Sequence, residues 1–256
     1  MNSSTRLAVA ASLVAIVLTT SLDASGYGMF SAFVLIPAIP LFAYLARLSR
    51  TDLGYRFAPY QENLVAGLTP LLLIAALTAV AWISNAIEPT REEWGLVFLM
   101  MAYNSAVGVL LVAITEEGFF RGVLWSLLEK SGQSEKQVLW TTTIIFVIWH
   151  LSAILLAEDY APALIQVPIY LVNATLLGLI WGLMRQQSGS IWPPAIYHSV
   201  WNAIVYQLYG FGMDSGDLGA EPTWLYGPEI GFAGILLSGS VVLFLFRRSI
   251  SRTRGA

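Results

Sequence analysis

Apolar residues do not alternate along this chain, nor do they form a narrow stripe at helical spacing. They gather into eight long uncharged runs, at 7 to 22, 29 to 46, 64 to 84, 95 to 115, 138 to 157, 164 to 184, 193 to 209 and 230 to 246. A helix that crosses a bilayer needs about 20 apolar residues, and about 17 to 25 are tolerated, so each run is a candidate span. Continuous runs fit helices better than strands, because only structures that satisfy their own backbone survive in lipid. The pattern predicts an all-α polytopic membrane helix bundle of about eight transmembrane helices. The connections are brief and polar, with no linker or repeat, so residues 1–256 read as one transmembrane domain. Pro37, Pro40, Pro70 and Pro168 fall inside runs and are expected to kink them, whereas Pro193 and Pro194 stand where a helix begins. Gly178 and Gly182 form a small-xxx-small pair suited to close helix packing.

Composition sharpens this picture. Of 256 residues, 57% are hydrophobic and 11% charged, against about 25% charged in a soluble domain. The mean hydropathy is +0.68. A water-soluble fold is excluded, and the lipid bilayer is the first partner. The absence of Cys removes disulfides, thiolate catalysis and Cys-based metal sites. A net charge of −3 without a basic block gives nucleic acid no footing. With the N-terminus inside, alternate connections hold eleven Lys and Arg on the inner side (Arg6; Arg47, Arg50 and Arg56; Lys130 and Lys136; Arg185; Arg247, Arg248, Arg252 and Arg254) and only Arg91 on the outer. This bias predicts a multi-pass protein of the cell (plasma) membrane with both termini cytoplasmic. Arg6, the short first run and SLDASG also fit a signal peptide cut near Ala24, although Leu22 is a poor residue for such a site. The later topology is the same either way.

Charge at membrane depth costs about 2.5 to 3.5 kcal/mol per group on insertion scales, so it demands a partner, a cavity or a function. Yet Glu116, Glu117 and Arg121 follow the fourth run directly, and the only two His of the chain, His150 and His198, lie within runs, with Asn202 one turn beyond His198. At about 1.5 Å per residue, Glu116 and His150 are each roughly 18 Å from the basic end of their helices, and His198 and Asn202 roughly 8 and 14 Å beyond Pro193. Three helices therefore deliver these groups toward one layer. Glu117 and Arg121, four apart, should pair. Glu116, five from Arg121, faces away from it and is the freer carboxylate, placed to act as a general base. His198 and Asn202 share a face and can donate jointly to a developing oxyanion. Phe146 and the Trp residues at 149 and 201 read as packing or cavity wall, and Asn104, Gln166 and Asn173 as helix contacts. Glu116, His150 and His198 also form a two-His, one-carboxylate set able to hold zinc with an open water position, though no HExxH is present.

These residues fall into three ordered motifs: Glu116-Glu117-Gly-Phe-Phe-Arg121, Phe146-Val-Ile-Trp-His150 and His198-Ser-Val-Trp-Asn202. They resemble EExxxR, FxxxH and HxxxN of the CPBP intramembrane proteases, which include type II CAAX prenyl endopeptidases and bacteriocin-processing or immunity proteins. The resemblance covers about 95 to 209, the expected catalytic core. It implies that Glu116 activates a water for attack on a peptide carbonyl with help from His150. His198 and Asn202 would stabilise the oxyanion, and Glu117 with Arg121 would hold the site together. It also implies a metal-independent glutamate protease, which sets zinc aside as the alternative cofactor. The expected activity is hydrolysis of a peptide bond in a membrane-associated peptide or protein, lipidated or not, in a cavity reached from the cytoplasmic side or laterally from lipid. A non-proteolytic alternative, a proton-coupled transporter or bacteriocin-immunity factor, would use the same polar cluster. The absence of an internal repeat argues against transport.

Overall fold

In the computed structural model, residues 2–157, 161–210, 212 and 214–254 are described, with side chains to 249. The side chains of Arg252 and Arg254, counted above, lie outside the described residues. The chain begins with α1 (Ser3–Ala24), whose first turn is capped by Asn2 accepting from the Thr5 N–H. A 3₁₀ segment, Gly28–Val34, leads into α2 (Leu35–Leu45). Then follow α3 (Tyr60–Ile83) and α4 (Trp94–Ile114). A π-helical stretch, Gly118–Leu124, continues into α5 (Trp125–Lys130). Next come α6 (Glu135–Leu156), α7 (Val167–Ser188), α8 (Trp192–Tyr209), the single turn α9 (Thr223–Tyr226) and α10 (Phe232–Arg254). There is no strand among the described residues; one isolated bridge joins Ile87 to Ala220.

Every predicted run is helical, but among the described residues only seven helical stretches are long and apolar enough to cross a membrane. The exception is α8. Its 18 residues include Pro193, Pro194, His198, Asn202 and Gln207, and it packs among α3, α4 and α7. A helix enclosed by protein need not be apolar all round, which is why the most polar run lies here. By contrast α3 and α4 turn Leu71, Leu72, Trp82, Phe98 and Leu99 outward.

Local chemistry sets the boundaries. A capping box, Ser134 with Gln137, opens α6, and Gly189, at φ +65°, closes α7 in the left-handed region. Pro193 and Pro194 start α8 as expected. Pro168 was expected to kink its run; it stands instead in the first turn of α7, where a missing N–H costs nothing. Pro37 likewise falls in the first turn of α2, leaving Pro40 and Pro70 as the prolines inside helices. The Gly178 and Gly182 pair lets α7 approach α6: a Cβ on Gly178 would lie 3.0 Å from Thr143 Cγ2, and one on Gly182 would collide with Leu139.

The basic segments meet at one end of the bundle. Asn2 donates to the Ser131 carbonyl at 3.0 Å, Lys130 Nζ to the Arg47 carbonyl at 3.4 Å and Arg56 Nε to the Gly189 carbonyl at 2.9 Å. Arg248 pairs with Glu62 at 2.8 Å. At the other end Arg91 pairs with Asp217 at 2.8 Å. Arg185, counted with the loop cations, is buried; its Nε donates to the Arg121 carbonyl at 2.8 Å and its Nη2 to the Asp52 carbonyl at 3.0 Å.

Candidate functional site

The site begins where α4 stops. Thr115, at φ −119° and ψ −102°, breaks the helix, and its hydroxyl donates back to the Leu111 carbonyl at 2.7 Å. Glu116 and Glu117 then lead into the π-helical turns, a form that recurs at functional sites because it displaces side chains from regular register. The chain crosses itself closely here. A Cβ on Gly118 would strike the Ala113 carbonyl and lie 2.7 Å from Tyr55 Oη, so only glycine fits.

Arg121 is fully buried. Its Nη1 donates to Glu117 Oε1 at 3.3 Å, the ion pair expected from the spacing. Its Nη2 donates to the Gly178 carbonyl at 3.0 Å. The guanidinium also lies 4.8 Å from the centre of the Phe146 ring and 5.4 Å from that of Trp181, a contact favoured by the ring quadrupole. Phe146, assigned to the wall, thus packs on the cation.

The same Glu117 oxygen lies 3.0 Å from His198 Nδ1, and the His198 ring stacks on Trp181 at 3.8 Å with 13° between planes. Glu117 therefore couples Arg121 to His198, a link that spacing along one helix could not show. His150 is held differently. Its Nδ1 lies 2.9 Å from the Phe146 carbonyl, which can only accept, so Nδ1 carries the hydrogen and the neutral ring presents a lone pair at Nε2. That Nε2 lies 3.8 Å from Glu116 Oε2, and His198 Nε2 lies 3.9 Å from the same oxygen. Glu116 Oε2 is buried without a hydrogen-bond partner among the described residues. These three side chains, which could offer zinc two nitrogens and an oxygen, are spaced more widely than ligands about 2 Å from one ion usually stand. No group of three His, Asp or Glu among the described residues is arranged for a metal.

Glu116, His150, His198 and Asn202 share the wall of a cavity of about 770 Å³. Its far side is formed by Thr19 to Ala32 and by Leu156 and Ala157, at the end of α1 remote from Asn2. The cavity therefore extends toward the end opposite the basic segments. An entrance on the cytoplasmic side or laterally from lipid was expected; the end of α6 beyond His150 is the shorter arm of that helix, so the site lies nearer the end opposite the basic segments.

A third carboxylate was missed. Glu229, half-buried in the connection before α10, accepts from Trp201 Nε1 at 2.9 Å and lines a water-sized cavity of about 20 Å³ with His150, His198 and Asn202. Burial pushes its carboxyl up to about 7. Asn173 and Gln166 hold this connection rather than a helix: Asn173 Nδ2 donates to the Glu229 and Gly231 carbonyls at 2.9 and 3.2 Å, and Gln166 Nε2 to the Ile230 carbonyl at 3.1 Å. The signal available was an acid directly preceding an apolar run.

Residues 97–204 match the family described as type II CAAX prenyl endopeptidase Rce1-like. No curated protein and no solved structure matches the chain. The matched stretch runs from α4 into α8 and contains all three motifs, while Glu229 and the whole of α1 lie beyond it. Over this core, residues 97–204, the chain is similar to the CAAX-type membrane endopeptidases, the group that its three motifs resemble.

Proposed function

We propose that the protein hydrolyses a peptide bond of a membrane-associated peptide or protein with a water activated by Glu116. The observation that carries this reading is the pairing of an unsatisfied Glu116 Oε2 with a His150 Nε2 lone pair 3.8 Å away. Two acceptors at that separation suit a single water that donates one hydrogen to each and turns its own lone pair outward.

In the first step the water oxygen attacks the peptide carbonyl carbon while its proton passes to Glu116. The carbonyl π electrons move to oxygen. His198 Nε2–H and the Asn202 side-chain amide then donate to that oxyanion. This donation uses Nε2–H while Nδ1–H faces Glu117, so the reaction requires the ring to carry both hydrogens. Arg121 balances the buried Glu117 in turn. In the second step the carbonyl re-forms, the carbon–nitrogen bond breaks, and Glu116 returns its proton to the leaving amine. No step in this scheme requires a metal.

The aromatic and ionic groups that immobilise His198 support an oxyanion-binding role, since such sites depend on preorganisation. We also place both termini in the cytoplasm of a cell bearing this protein in its plasma membrane, a reading supported by the basic segments gathered at one end. A reporter fused to the C-terminus and scored for inner or outer location tests it; an outer location would reverse the orientation.

The test of the reaction is co-expression with candidate membrane peptides, read by mass spectrometry. A cut that disappears with Glu116→Gln is expected. Equal cleavage by a folded Glu116→Gln protein would sink the mechanism, and loss with a chelator followed by stoichiometric rescue with zinc would overturn its metal-free form. Uptake of protons into vesicles without any peptide cleavage would favour the transport alternative.

A further inference from the structure

The cavity above Glu116 holds a second buried acid for which the reaction has no use. Asp23, in the last turn of α1, is 1% exposed and lines that cavity. Neither of its carboxylate oxygens has a hydrogen-bond partner among the described residues. Nearby Thr19 is already committed, accepting from Trp149 Nε1 at 2.8 Å and donating to the Ser31 carbonyl at 3.3 Å. The described wall contains Glu116 with His150 and His198 at the reacting end and Asp23 at the far side, but no Lys or Arg. A lone carboxylate in such a place lacks a cation, and the open cavity is the route by which one can arrive.

Its height above the reacting groups can be read from the packing. A Cβ on Gly28 would lie 3.3 Å from Asp23 Oδ1 and 3.0 Å from Ala157 Cβ, so Asp23 stands level with Ala157. That residue is seven positions beyond His150, about 10 Å along α6. An extended peptide covers this distance in about three residues. Beside Asp23 the rim is apolar, with Met29 and Phe30 exposed, which suits a peptide that is otherwise hydrophobic.

We propose that Asp23 is a specificity residue that receives a lysine or arginine side chain of the substrate about three residues from the scissile bond. The substrate class is then an apolar membrane-associated peptide with one basic residue at that remove. This rests on the endopeptidase reading above for the meaning of the cut, but not for the binding. It also requires α1 to remain in the working protein.

The experiment uses full-length Glu116→Gln protein in nanodiscs and acetylated, amidated apolar peptides in which a single Lys, norleucine or Glu is moved through the sequence. Fluorescence anisotropy should show the Lys peptide binding about tenfold more tightly than the norleucine peptide, and the Glu peptide more weakly than either. Adding Asp23→Asn should erase this order, and Asp23→Lys should favour Glu. With Glu116 intact, the cut should fall about three residues from the Lys and travel with it. Binding indifferent to charge in protein that retains Asp23 would overturn the inference without need of any variant there. So would a preference that survives Asp23→Asn, or an intact mass showing residues 1–24 removed. Selective binding of the Lys peptide with no cleavage by the wild type would instead defeat the endopeptidase reading and leave this one standing.

Discussion

The two histidine walls of the site are built in opposite ways. On the α8 side His198 is fixed at one nitrogen and one ring face: Nδ1 against Glu117, the ring on Trp181, and behind Glu117 a buried Arg121 that is itself bound to the Gly178 carbonyl. On the other side His150 is tied at a single nitrogen to its own helix, and Glu116 has an oxygen with no partner. Polar groups in a low-dielectric interior are costly when unpaired; the α8 side, more fully paired although Glu117 Oε2 and Arg121 Nε lack partners among the described residues, supplies the order, and the other keeps its capacity for a water and a substrate. This division explains how adjacent carboxylates, Glu116 and Glu117, can serve such different ends.

The comparison breaks most directly at Glu116. Glu116→Gln keeps shape and removes the base, so cleavage should fall by about 10³-fold or more, while the thermal midpoint in detergent stays the same or rises because an unpaired acid has gone. A midpoint that drops with activity would show that Glu116 belongs to the ordered wall after all. The reverse is expected of Arg121. Arg121→Ala leaves Glu117 buried without its cation and should destabilise the protein by about 3 to 5 kcal/mol; Arg121→Lys should recover only part, because an ammonium cannot at once pair with Glu117, reach the Gly178 carbonyl and lie flat on Phe146. Thermal unfolding of the two variants checks this, and unchanged stability in Arg121→Ala would contradict the proposed scaffold.

What could be read from sequence follows the same division. The i,i+4 rule found Glu117 with Arg121, and the remaining position left Glu116 unpaired, because both relations are local to one stretch of helix. The three helices and the common layer of Glu116, His150 and His198 were also legible, since lipid makes deep charge conspicuous. Contacts across the bundle were not. Spacing could not show that Glu117 reaches His198, that Trp181 lies under its ring, or that Thr115 interrupts the helix before the acids. Glu229 and Asp23 escaped because each sits at the edge of an apolar run, where an acid ordinarily meets water. The polarity of α8 was visible, but not its consequence, that the helix is enclosed by protein.

A smaller effect separates chemistry from order within α8 itself. Asn202 is one turn from His198 and lines the cavity, and if it donates to the oxyanion, Asn202→Ala should lower kcat by about 10²-fold with little change in KM, as loss of one such donor does. Loss of KM alone would make it a substrate contact. His198→Gln, by contrast, should lower both kcat and thermal stability, since it leaves Glu117 with a weaker partner.

The smallest expected effect tests whether Glu229 belongs to the ordered wall. Its carboxyl, raised by burial from 4.5 to about 7, binds a proton more tightly when folded than when unfolded. Its contribution to stability is therefore fully present below about pH 4.5, is lost as pH rises through about 7, and is constant above. With solvent access and its bond from Trp201 allowed for, the span is roughly 1 to 2 kcal/mol. Thermal midpoints measured from pH 5 to 8 should fall in the wild type and stay nearly level in Glu229→Gln. Because Glu229 is bonded to Trp201 on α8 and not to Glu116, kcat at pH 6 should hold within a few-fold in the same variant. A fall in kcat as large as that of Asn202→Ala, with the stability profile unaltered, would move Glu229 from the fixed wall into the reaction and show that the two walls exchange protons through the small cavity they share.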